Sequence, residues 1–566
     1  MDQHLATLWE EISDLLPEAT ALVHGTQSRT WREFEVRSAR FAAAMLARGV
    51  RAGDTVAIGL FNCSEYLEAF FAALKIRAVP ANVNYRYLGD ELRALLTQLD
   101  TAVFIYSAPL RDQVAPVLAA TDGLKLAVEV GYGGDAERPE HIAAYEELLV
   151  SSAPAERIFR SPNDTFLSCT GGTTGLPKAV EYVIGRSVAN TRMLGRQMLG
   201  LHDIDWDGPA VERALELHRS GRSPVALPAS PLMHSTGLIM ASLPVLTAGG
   251  RVITLTSRHF DAEELWSTVE RTRPSTLSIV GDAFARRMVT ELERRAGEGR
   301  PYDTSSLVAI TSAGVAWSGE VKAALIEHIP QVTLVDACGS SEGATIGSAE
   351  VRRGMPVATD RFTPAPGLRI LRDDGTDILP GESEPGLFLV PTVSRGYRKD
   401  PERTAMSFRF FDDRAYVIPG DWGRWNDDGT ITLVGRGTSV INTGGEKVFP
   451  EEVEHVIRTL ANVDDCVVLG SPDKEFGQRV CAVIQLADPD AESPEQASER
   501  ITTALRGAIA GYKVPRTLAF ADVPRGPNGK VLYPEAHRAL QENLGPLAGT
   551  SLPDATSSTV IAFGTS

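Results

Sequence analysis

The chain has 566 residues and a formal net charge of −17, and no dense run of lysine or arginine occurs in it. This balance argues against a nucleic-acid-binding protein, which normally carries a basic patch. Hydrophobic residues make up 43% of the sequence, enough for large cores, and the length predicts more than one domain.

The N-terminal segment is not expected to be a secretory signal, because it lacks the basic start and apolar block of such a leader. Further along, no apolar stretch reaches the ~18 residues that a membrane helix needs. The five cysteines are scattered without a C-x-x-C pair, which argues against a disulfide framework or a zinc site. We therefore expect a cytoplasmic protein that binds neither membranes nor nucleic acids.

Helix and strand patterns alternate from the start of the chain. Thr30 and Glu33 have the spacing of a capping box at a helix start. Residues 56–60 read as a buried strand, and the Ala-rich residues 66–74 read as a helix. Further strands are predicted at residues 103–106, 126–130, 252–255, 277–280, 308–310 and 333–335. Such alternation is typical of α/β layers.

The pattern changes after about residue 435. One amphipathic helix near residues 453–460 is followed by strands at 466–469 and 480–486, which predicts a smaller α+β domain. Residues 201–224, charged and containing Gly and Pro, read as a surface insertion. We thus expect a large domain at 1–435, a small domain at 436–545 and a flexible Ser/Thr/Gly/Pro-rich tail at 546–566.

The glycine-rich segment SCTGGTTGLPK is a candidate anion site. Its glycines, Gly171, Gly172 and Gly175, can turn backbone N–H groups inward to make a nest for anionic oxygens. Hydroxyl donors and a positive charge come from Thr170, Thr173, Thr174 and Lys178. The set suits a polyphosphate, although its spacing is not that of the P-loop, and a flexible surface loop is the ordinary alternative.

The order T-G-G-T-T-G-L-P-K resembles the phosphate loop of the adenylate-forming superfamily, which includes acyl-CoA synthetases, firefly luciferase and the adenylation domains of peptide synthetases. Six more segments resemble motifs of that family in the expected order: PLMHSTG (231–237), TSAGVAWSG (311–319), CGSSEG (338–343), PGDWGRWNDDG (419–429), GRGTSVINTGGEKVFPEEVE (435–454) and GPNGK (526–530). The resemblance covers residues 30–530 and looks most like actinobacterial acyl-CoA synthetases of the sterol side-chain type. It implies an α/β fold, with a large domain of layered sheets and helices and a small, mobile α+β domain.

The resemblance also implies a reaction: an ATP-dependent ligase adenylates a small-molecule carboxylate, releases pyrophosphate and transfers the acyl group to CoA. Lys530 would neutralise charge at the α-phosphate, Glu342 would bind Mg²⁺, and Thr174 would contact the phosphates. Further ATP contacts are implied for the glycine-rich segment and for Gly314, Cys338, Gly339, Ser340, Ser341, Asp421 and Arg436. Substrate contacts are implied for His234, Ser235, Gly281, Asp282 and Gly339.

Several of these residues also have an ordinary reading. Lys530 could be a solvated loop charge, Glu342 a helix-cap residue and Asp421 a turn aspartate. Asp282 could cap a helix at residues 283–292 or face a polar substrate, because an unpaired carboxylate in an apolar tunnel is costly.

Departures from the family pattern leave open which molecule accepts the activated group in the second step of the reaction. Cys338 stands where an aromatic residue commonly stacks on adenine, and Thr438, Asn442, Ala179 and Ile184 also depart from it. Some actinobacterial relatives activate nitrite with ATP and pass it to an aromatic amine in a biosynthetic pathway, so a diazotase-type enzyme is the alternative to a CoA ligase. A luciferase-like oxygenase is a weaker one. The identity of the acid and the oligomeric state, including a homodimer, stay open.

Overall fold

The computed structural model describes residues 3–87, 89–131, 138–170, 178–315, 317–357, 361–372, 374–411, 414–436, 441–443, 446–473, 477–509, 511–526 and 531–544. By its internal contacts the chain splits into two compact units, Met1–Leu433 and Val434–Ser566. The strands up to the end of the first unit are β1 Thr20–His24, β2 Gln27–Thr30, β3 Thr55–Gly59, β4 Val79–Asn82, β5 Thr101–Ser107, β6 Leu126–Val130, β7 Ile142–Ala144, β8 Thr165–Thr170, β9 Lys178–Val183, β10 Val225–Pro228, β11 Arg251–Thr254, β12 Thr276–Ile279, β13 Ala309–Ala313, β14 Thr333–Ser340, β15 Ala344–Val351, β16 Arg361–Pro364, β17 Arg369–Leu371, β18 Asp377–Ile378, β19 Gly386–Pro391, β20 Ser394–Tyr397, β21 Phe408–Phe411, β22 Arg414–Val417, β23 Asp421–Trp425 and β24 Ile431–Arg436.

Helices cover these sheets, and the α/β fold class predicted from the sequence is confirmed. In the first unit they are α1 Leu5–Leu15, α2 Trp31–Ala47, α3 Ser64–Lys75, α4 Gly89–Gln98, α5 Arg111–Ala119, α6 Tyr145–Ser151, α7 Ile184–Met198, α8 Ala210–Arg219, α9 Leu243–Thr247, α10 Ala262–Thr272, α11 Gly281–Gly297, α12 Gly319–His328 and α13 Pro401–Ser407. The capping box is confirmed at α2, where Thr30 Oγ1 accepts the Glu33 N–H and Glu33 accepts the Thr30 N–H. None of the described helices is both long and apolar enough to cross a bilayer.

Two sheets organise the first unit. The larger runs β18-β17-β19-β23-β24-β16-β15-β14-β13-β12-β10-β11-β1-β2. In it β10, β12, β13 and β14 are parallel neighbours, so their carboxyl ends meet at one edge. The second sheet runs β20-β9-β8-β4-β3-β5-β6-β7 and is parallel apart from the antiparallel pairs that β9 makes with β8 and β20. Buried aromatic side chains such as Trp9, Phe34 and Phe71 pack between helices over this sheet.

The segment at residues 201–224 is more than the surface insertion that its composition predicted. It contains α8, which buries Arg213, Ala214 and Leu217. Trp206, ahead of that helix, is fully buried, and a Cβ on Gly195 of α7 would lie 2.3 Å from its ring. An aromatic side chain that fits only against a glycine therefore anchors this largely exposed segment to the main core, which its composition did not predict.

The second unit is a small, mainly antiparallel sheet with helices packed on it. Its strands are β25 Ile441–Thr443, β26 Glu446–Val448, β27 Val463–Asp473, β28 Gly477–Leu486 and β29 Thr517–Phe520, and its helices are α14 Pro450–Arg458, α15 Pro494–Ala508 and α16 Tyr533–Leu544. β27 and β28 pair along their whole length, and β29 joins β28 in parallel. The predicted tail lies outside the described residues, and the mobility of this unit stays a prediction.

Candidate functional site

Three of the predicted site segments lie along the carboxyl edge of the parallel strands. Gly281 follows β12, and its N–H donates to Ser312 Oγ on β13 at 2.8 Å. Gly314 follows β13 directly. Because Ala313 pairs with Ala337, Gly314 and Cys338 are neighbours at this edge. Open α/β sheets bind ligands outside the carboxyl ends of their strands, so the position suits a ligand site.

A tight turn at residues 341–343 joins β14 to β15 and carries Glu342. The Tyr182 hydroxyl donates to the Ser341 carbonyl at 2.9 Å, and the Thr392 hydroxyl donates to the Glu342 carbonyl at 2.5 Å. Gly343 has a φ of +77°, and a Cβ there would lie within 3.0 Å of the Tyr182 ring and of Ser394. The turn is therefore fixed from two sides, and glycine is required at its last position.

The Glu342 carboxylate faces the hairpin that holds the glycine-rich segment. Its side chain is nearly buried, and Oε1 accepts a 2.8 Å hydrogen bond from the Tyr397 hydroxyl. Lys178 Nζ lies 3.9 Å from the same oxygen and 5.6 Å from the centre of the Tyr397 ring. Because Thr170 pairs with Lys178 across β8 and β9, this lysine stands where the glycine-rich segment ends. Two residues implied for ATP and metal binding are thus brought together.

The segment with His234 and Ser235, which we name the channel loop (residues 231–237), follows β10 and leads into a π-helical turn at Thr236–Ser242. Ser235 Oγ lies 3.5 Å from Ser168 Oγ on β8. Two asparagines that sequence reasoning missed, Asn62 and Asn82, bind the backbone just ahead of His234, at Leu232 and Met233.

Asp282 does not cap its own helix, so the capping interpretation was wrong. α11 begins at Gly281 with no side-chain cap, and Asp282 lies one residue inside it. Oδ1 accepts the Ser318 N–H at 2.9 Å, and Oδ2 accepts from Arg286 at 3.1 Å. The carboxylate therefore ties the start of α11 to the residue ahead of α12, and both of its oxygens are engaged.

Two residues that the resemblance implies for ATP binding, Asp421 and Ser340, also lie among the described residues. Asp421 is 7% exposed and begins β23 after Gly420, whose φ is +87°. Ser340 ends β14, and its Oγ is buried with no hydrogen-bond partner among the described residues. Gly339, beside it, is exposed. A buried carboxylate at a strand start and a buried hydroxyl suit polar groups of a nucleotide.

Part of the predicted site lies outside the described residues. This holds for Gly171, Gly172, Thr173, Thr174, Gly175 and Lys530, and for the side chains of Thr170 and Arg436. Their implied roles stay predictions.

Sequence signals for the missed residues differ. Asn82 is the last residue of β4 and Asn62 lies three residues beyond β3, so polar side chains at the carboxyl ends of parallel strands could have pointed to them. Tyr397 gives no such signal, because its contact joins β20 of the second sheet to the turn between β14 and β15 of the larger sheet.

Residues 9–398 match the family of AMP-binding enzymes, and residues 452–530 match the AMP-binding enzyme C-terminal domain. The 3-oxocholest-4-en-26-oate–CoA ligase of Rhodococcus rhodochrous is 36% identical over 548 residues, which cover 94% of this chain and 95% of the relative. The medium/long-chain-fatty-acid–CoA/3-oxocholest-4-en-26-oate–CoA ligase of Mycolicibacterium smegmatis is 32% identical, over 96% of this chain and 97% of its own. Among solved structures, the anthranilate CoA ligase AuaEII in complex with anthranoyl-AMP has a TM-score of 0.78 at 20% identity, covering 95% of this chain and 98% of its own. At that identity the likeness shows a shared fold.

Proposed function

Because this chain belongs to the family of AMP-binding enzymes, we propose that it is an AMP-forming acyl-CoA ligase. It adenylates a small-molecule carboxylate with ATP and passes the acyl group to CoA. The two relatives from Rhodococcus rhodochrous and Mycolicibacterium smegmatis, both named as CoA ligases, are 36% and 32% identical over more than nine-tenths of the chain, which favours this activity over the nitrite-activating alternative.

The observation that carries the proposal is the approach of Glu342 to Lys178 beside the glycine-rich segment. An acidic and a basic side chain on two different sheets converge on the place where a triphosphate would lie. The lysine supplies positive charge to phosphate oxygens, and the glutamate supplies a hard oxygen ligand for a divalent cation.

The residues present fit Mg²⁺. Tyr397 donates to Glu342 Oε1, and no described residue donates a hydrogen bond to Oε2, which leaves that oxygen for a cation. The described residues contain no group of three or more His, Cys, Asp or Glu side chains that could hold a metal ion by themselves. That suits Mg²⁺, which in nucleotide sites keeps waters and is bound by one or two carboxylates plus phosphate oxygens. Bound there, Mg²⁺ would supply positive charge that offsets the negative charge of the phosphates.

In the first step an oxygen of the substrate carboxylate attacks the α-phosphorus of ATP, and pyrophosphate leaves. Lys178 and the backbone of the glycine-rich segment hold the phosphates, and Ser341 and Asp421 contact the α-phosphate and the ribose. Lys530, from the second unit, stabilises the charge that develops between carboxylate and α-phosphate. In the second step the CoA thiolate attacks the acyl carbonyl and AMP leaves. We propose that the second unit moves between the steps and withdraws Lys530.

A direct test uses the purified full chain with ATP, Mg²⁺ and a panel of acids: decanoate, palmitate, 3-oxocholest-4-en-26-oate, benzoate and anthranilate. The panel follows the substrates of the relatives and adds acids of other shapes. Pyrophosphate release is measured with and without CoA, and products are identified by mass spectrometry. A parallel reaction contains nitrite and an aromatic amine in place of the acid.

We expect an acyl-CoA, AMP and pyrophosphate in equal amounts from at least one acid. Product that forms with nitrite and amine, together with no acyl-CoA from any acid, would overturn the proposal. Native mass spectrometry of the same sample determines whether the chain forms a homodimer.

A further inference from the structure

Asn82 makes three hydrogen bonds that join two separate parts of the first unit. Its Nδ2 donates to the Cys169 carbonyl at 3.0 Å and to the Met233 carbonyl at 2.5 Å. Its Oδ1 accepts the Cys169 N–H at 2.6 Å. Cys169 lies on β8, two residues before Gly171, the first glycine of the glycine-rich segment, and Met233 directly precedes His234 in the channel loop.

These contacts fix the orientation of the amide. Turning it over would place Oδ1 against two carbonyl oxygens and leave the Cys169 N–H facing a donor, which is unfavourable for every contact. The neighbouring contact between the same two segments, Ser168 Oγ to Ser235 Oγ, is 3.5 Å long, at the outer limit of a hydrogen bond. Asn82 is therefore the stronger of these two links.

We propose that Asn82 is a positioning residue that couples the ATP-binding hairpin to the channel loop, so that nucleotide binding orders the loop that receives the acid. This inference rests on the proposed function, because it requires ATP to bind at the glycine-rich segment. A displacement of β8 at Cys169 reaches Met233 through one rigid amide, and the backbone on the N-terminal side of His234 moves with it.

Asn62 offers a matched control. It holds the same stretch of chain, since its Oδ1 accepts the Leu232 N–H at 2.7 Å and its Nδ2 donates to the Ser230 carbonyl at 3.1 Å. Within the described residues, the hydrogen bonds of Asn62 go only to residues 228–232, at Pro228, Ser230 and Leu232. Asn62 therefore supports the channel loop without contacting β8.

The test is amide hydrogen exchange of the full chain with and without α,β-methylene-ATP and Mg²⁺, followed in peptides over residues 160–183 and 228–240. In the wild-type protein the nucleotide should slow exchange in both peptides. In Asn82→Ala, protection of the first should persist, while protection of the second should fall by about fivefold, the lower range of measured site-to-site coupling. In Asn62→Ala both should be protected, although the second exchanges faster at baseline. Asn82→Asp keeps the size of the side chain and its acceptor but removes the donor, so it should behave like Asn82→Ala. It serves as the test variant if Asn82→Ala does not fold.

The outcomes separate the two proposals. If the nucleotide protects neither peptide in the wild-type protein, the assignment of the ATP site fails, and the coupling fails with it. If only the first peptide is protected, or if both Asn82 variants protect the second peptide as the wild type does, the proposed ATP site stands and the coupling role is overturned.

Discussion

The phenolic hydroxyl of Tyr397 donates a 2.8 Å hydrogen bond to Oε1 of Glu342. Burial and the neighbouring Glu342 carboxylate raise the pKa of Tyr397, so the phenol stays protonated and keeps donating at neutral pH. The bond orients a carboxylate whose second oxygen is proposed to face a cation, and ligands held in this way bind metals more tightly than mobile ones.

Replacing Tyr397 with phenylalanine should raise the Mg²⁺ requirement of adenylation. A hydrogen bond to a charged group contributes about 1.5 kcal/mol or more, so half-saturation should move to about tenfold higher Mg²⁺. The measurement is a Mg²⁺ titration of pyrophosphate release at fixed ATP, with Mn²⁺ binding followed by electron paramagnetic resonance as a readout independent of turnover. Tyr416→Phe, at a buried tyrosine on β22, is the matched control and should keep the wild-type titration. Identical curves for both variants would remove Tyr397 from metal positioning.

Lys530→Ala should abolish adenylate formation and spare the second step. Losing a positive charge at the α-phosphate in the transition state costs ~3 kcal/mol or more, at least about a hundredfold in rate. The first step is measured by ATP–pyrophosphate exchange, and the second by conversion of a chemically prepared acyl-AMP to acyl-CoA. Lys513→Ala, in the same unit, removes a lysine paired with Glu452 and should leave exchange unchanged. Normal exchange by the Lys530 variant would exclude this lysine from the mechanism.

Periodic features of the fold were predictable from the sequence, because a local pattern specifies them. The Thr30 capping box, the helix at α3 and the strand at β6 follow from spacing within a few residues. Trp206 shows where such reasoning fails. Charged residues and glycine around it favoured a surface loop, yet one indole that fits against Gly195 anchors the segment in the core.

Residues of the candidate site could be predicted from the sequence only where they belong to a recognisable motif. Glu342 and Lys178 were assigned as members of motifs, and the structure places them 3.9 Å apart. Asn82 and Tyr397 escaped notice, because their partners are far away in sequence: Asn82 to Met233 spans 151 positions, and Tyr397 to Glu342 spans 55. No periodicity encodes such pairs, because each joins a strand of the second sheet to a loop or turn of the larger one.

His4 should make the fold less stable in mild acid, because its imidazole is neutral in the folded protein and takes up a proton on unfolding. The imidazole is buried at the start of α1, where Nδ1 accepts the Ala6 N–H at 3.1 Å. Burial, followed by the charge of Arg160, lowers its pKa from 6.5 to about 3, although Asp164 Oδ2 lies 3.8 Å from Nε2 and opposes the shift. Between these values the unfolded chain binds more protons. The stabilisation is therefore complete above pH 6.5 and is lost progressively as the pH falls towards 3.

At pH 5 the loss from His4 amounts to about 2 kcal/mol, from 1.36 kcal/mol for each pKa unit. Urea unfolding at pH 7.5 and pH 5, followed by tryptophan fluorescence, measures it. His4→Asn keeps an acceptor for the Ala6 N–H but does not titrate. Between pH 7.5 and pH 5 its free energy of unfolding should therefore fall by about 2 kcal/mol less than that of the wild type. His202→Asn, at an exposed histidine, should follow the wild type. Equal slopes for wild type and His4→Asn would contradict the assignment.

Replacing Asp282 should lower stability without changing substrate preference, because both of its carboxylate oxygens are engaged by the protein. Asp282→Asn keeps an acceptor for the Ser318 N–H and loses only the partly exposed pair with Arg286, which contributes at most about 1 kcal/mol. Arg286→Ala removes the same pair and should lower the melting temperature equally. Asp282→Ala also strips the Ser318 N–H of its partner and should cost about 1–3 kcal/mol. The ranking of plain, hydroxy- and amino-substituted acids should be the same in all three variants, since the carboxylate is committed to Ser318 and Arg286. A loss confined to donor-bearing acids in Asp282→Asn, with Arg286→Ala unaffected, would instead place this carboxylate against the substrate.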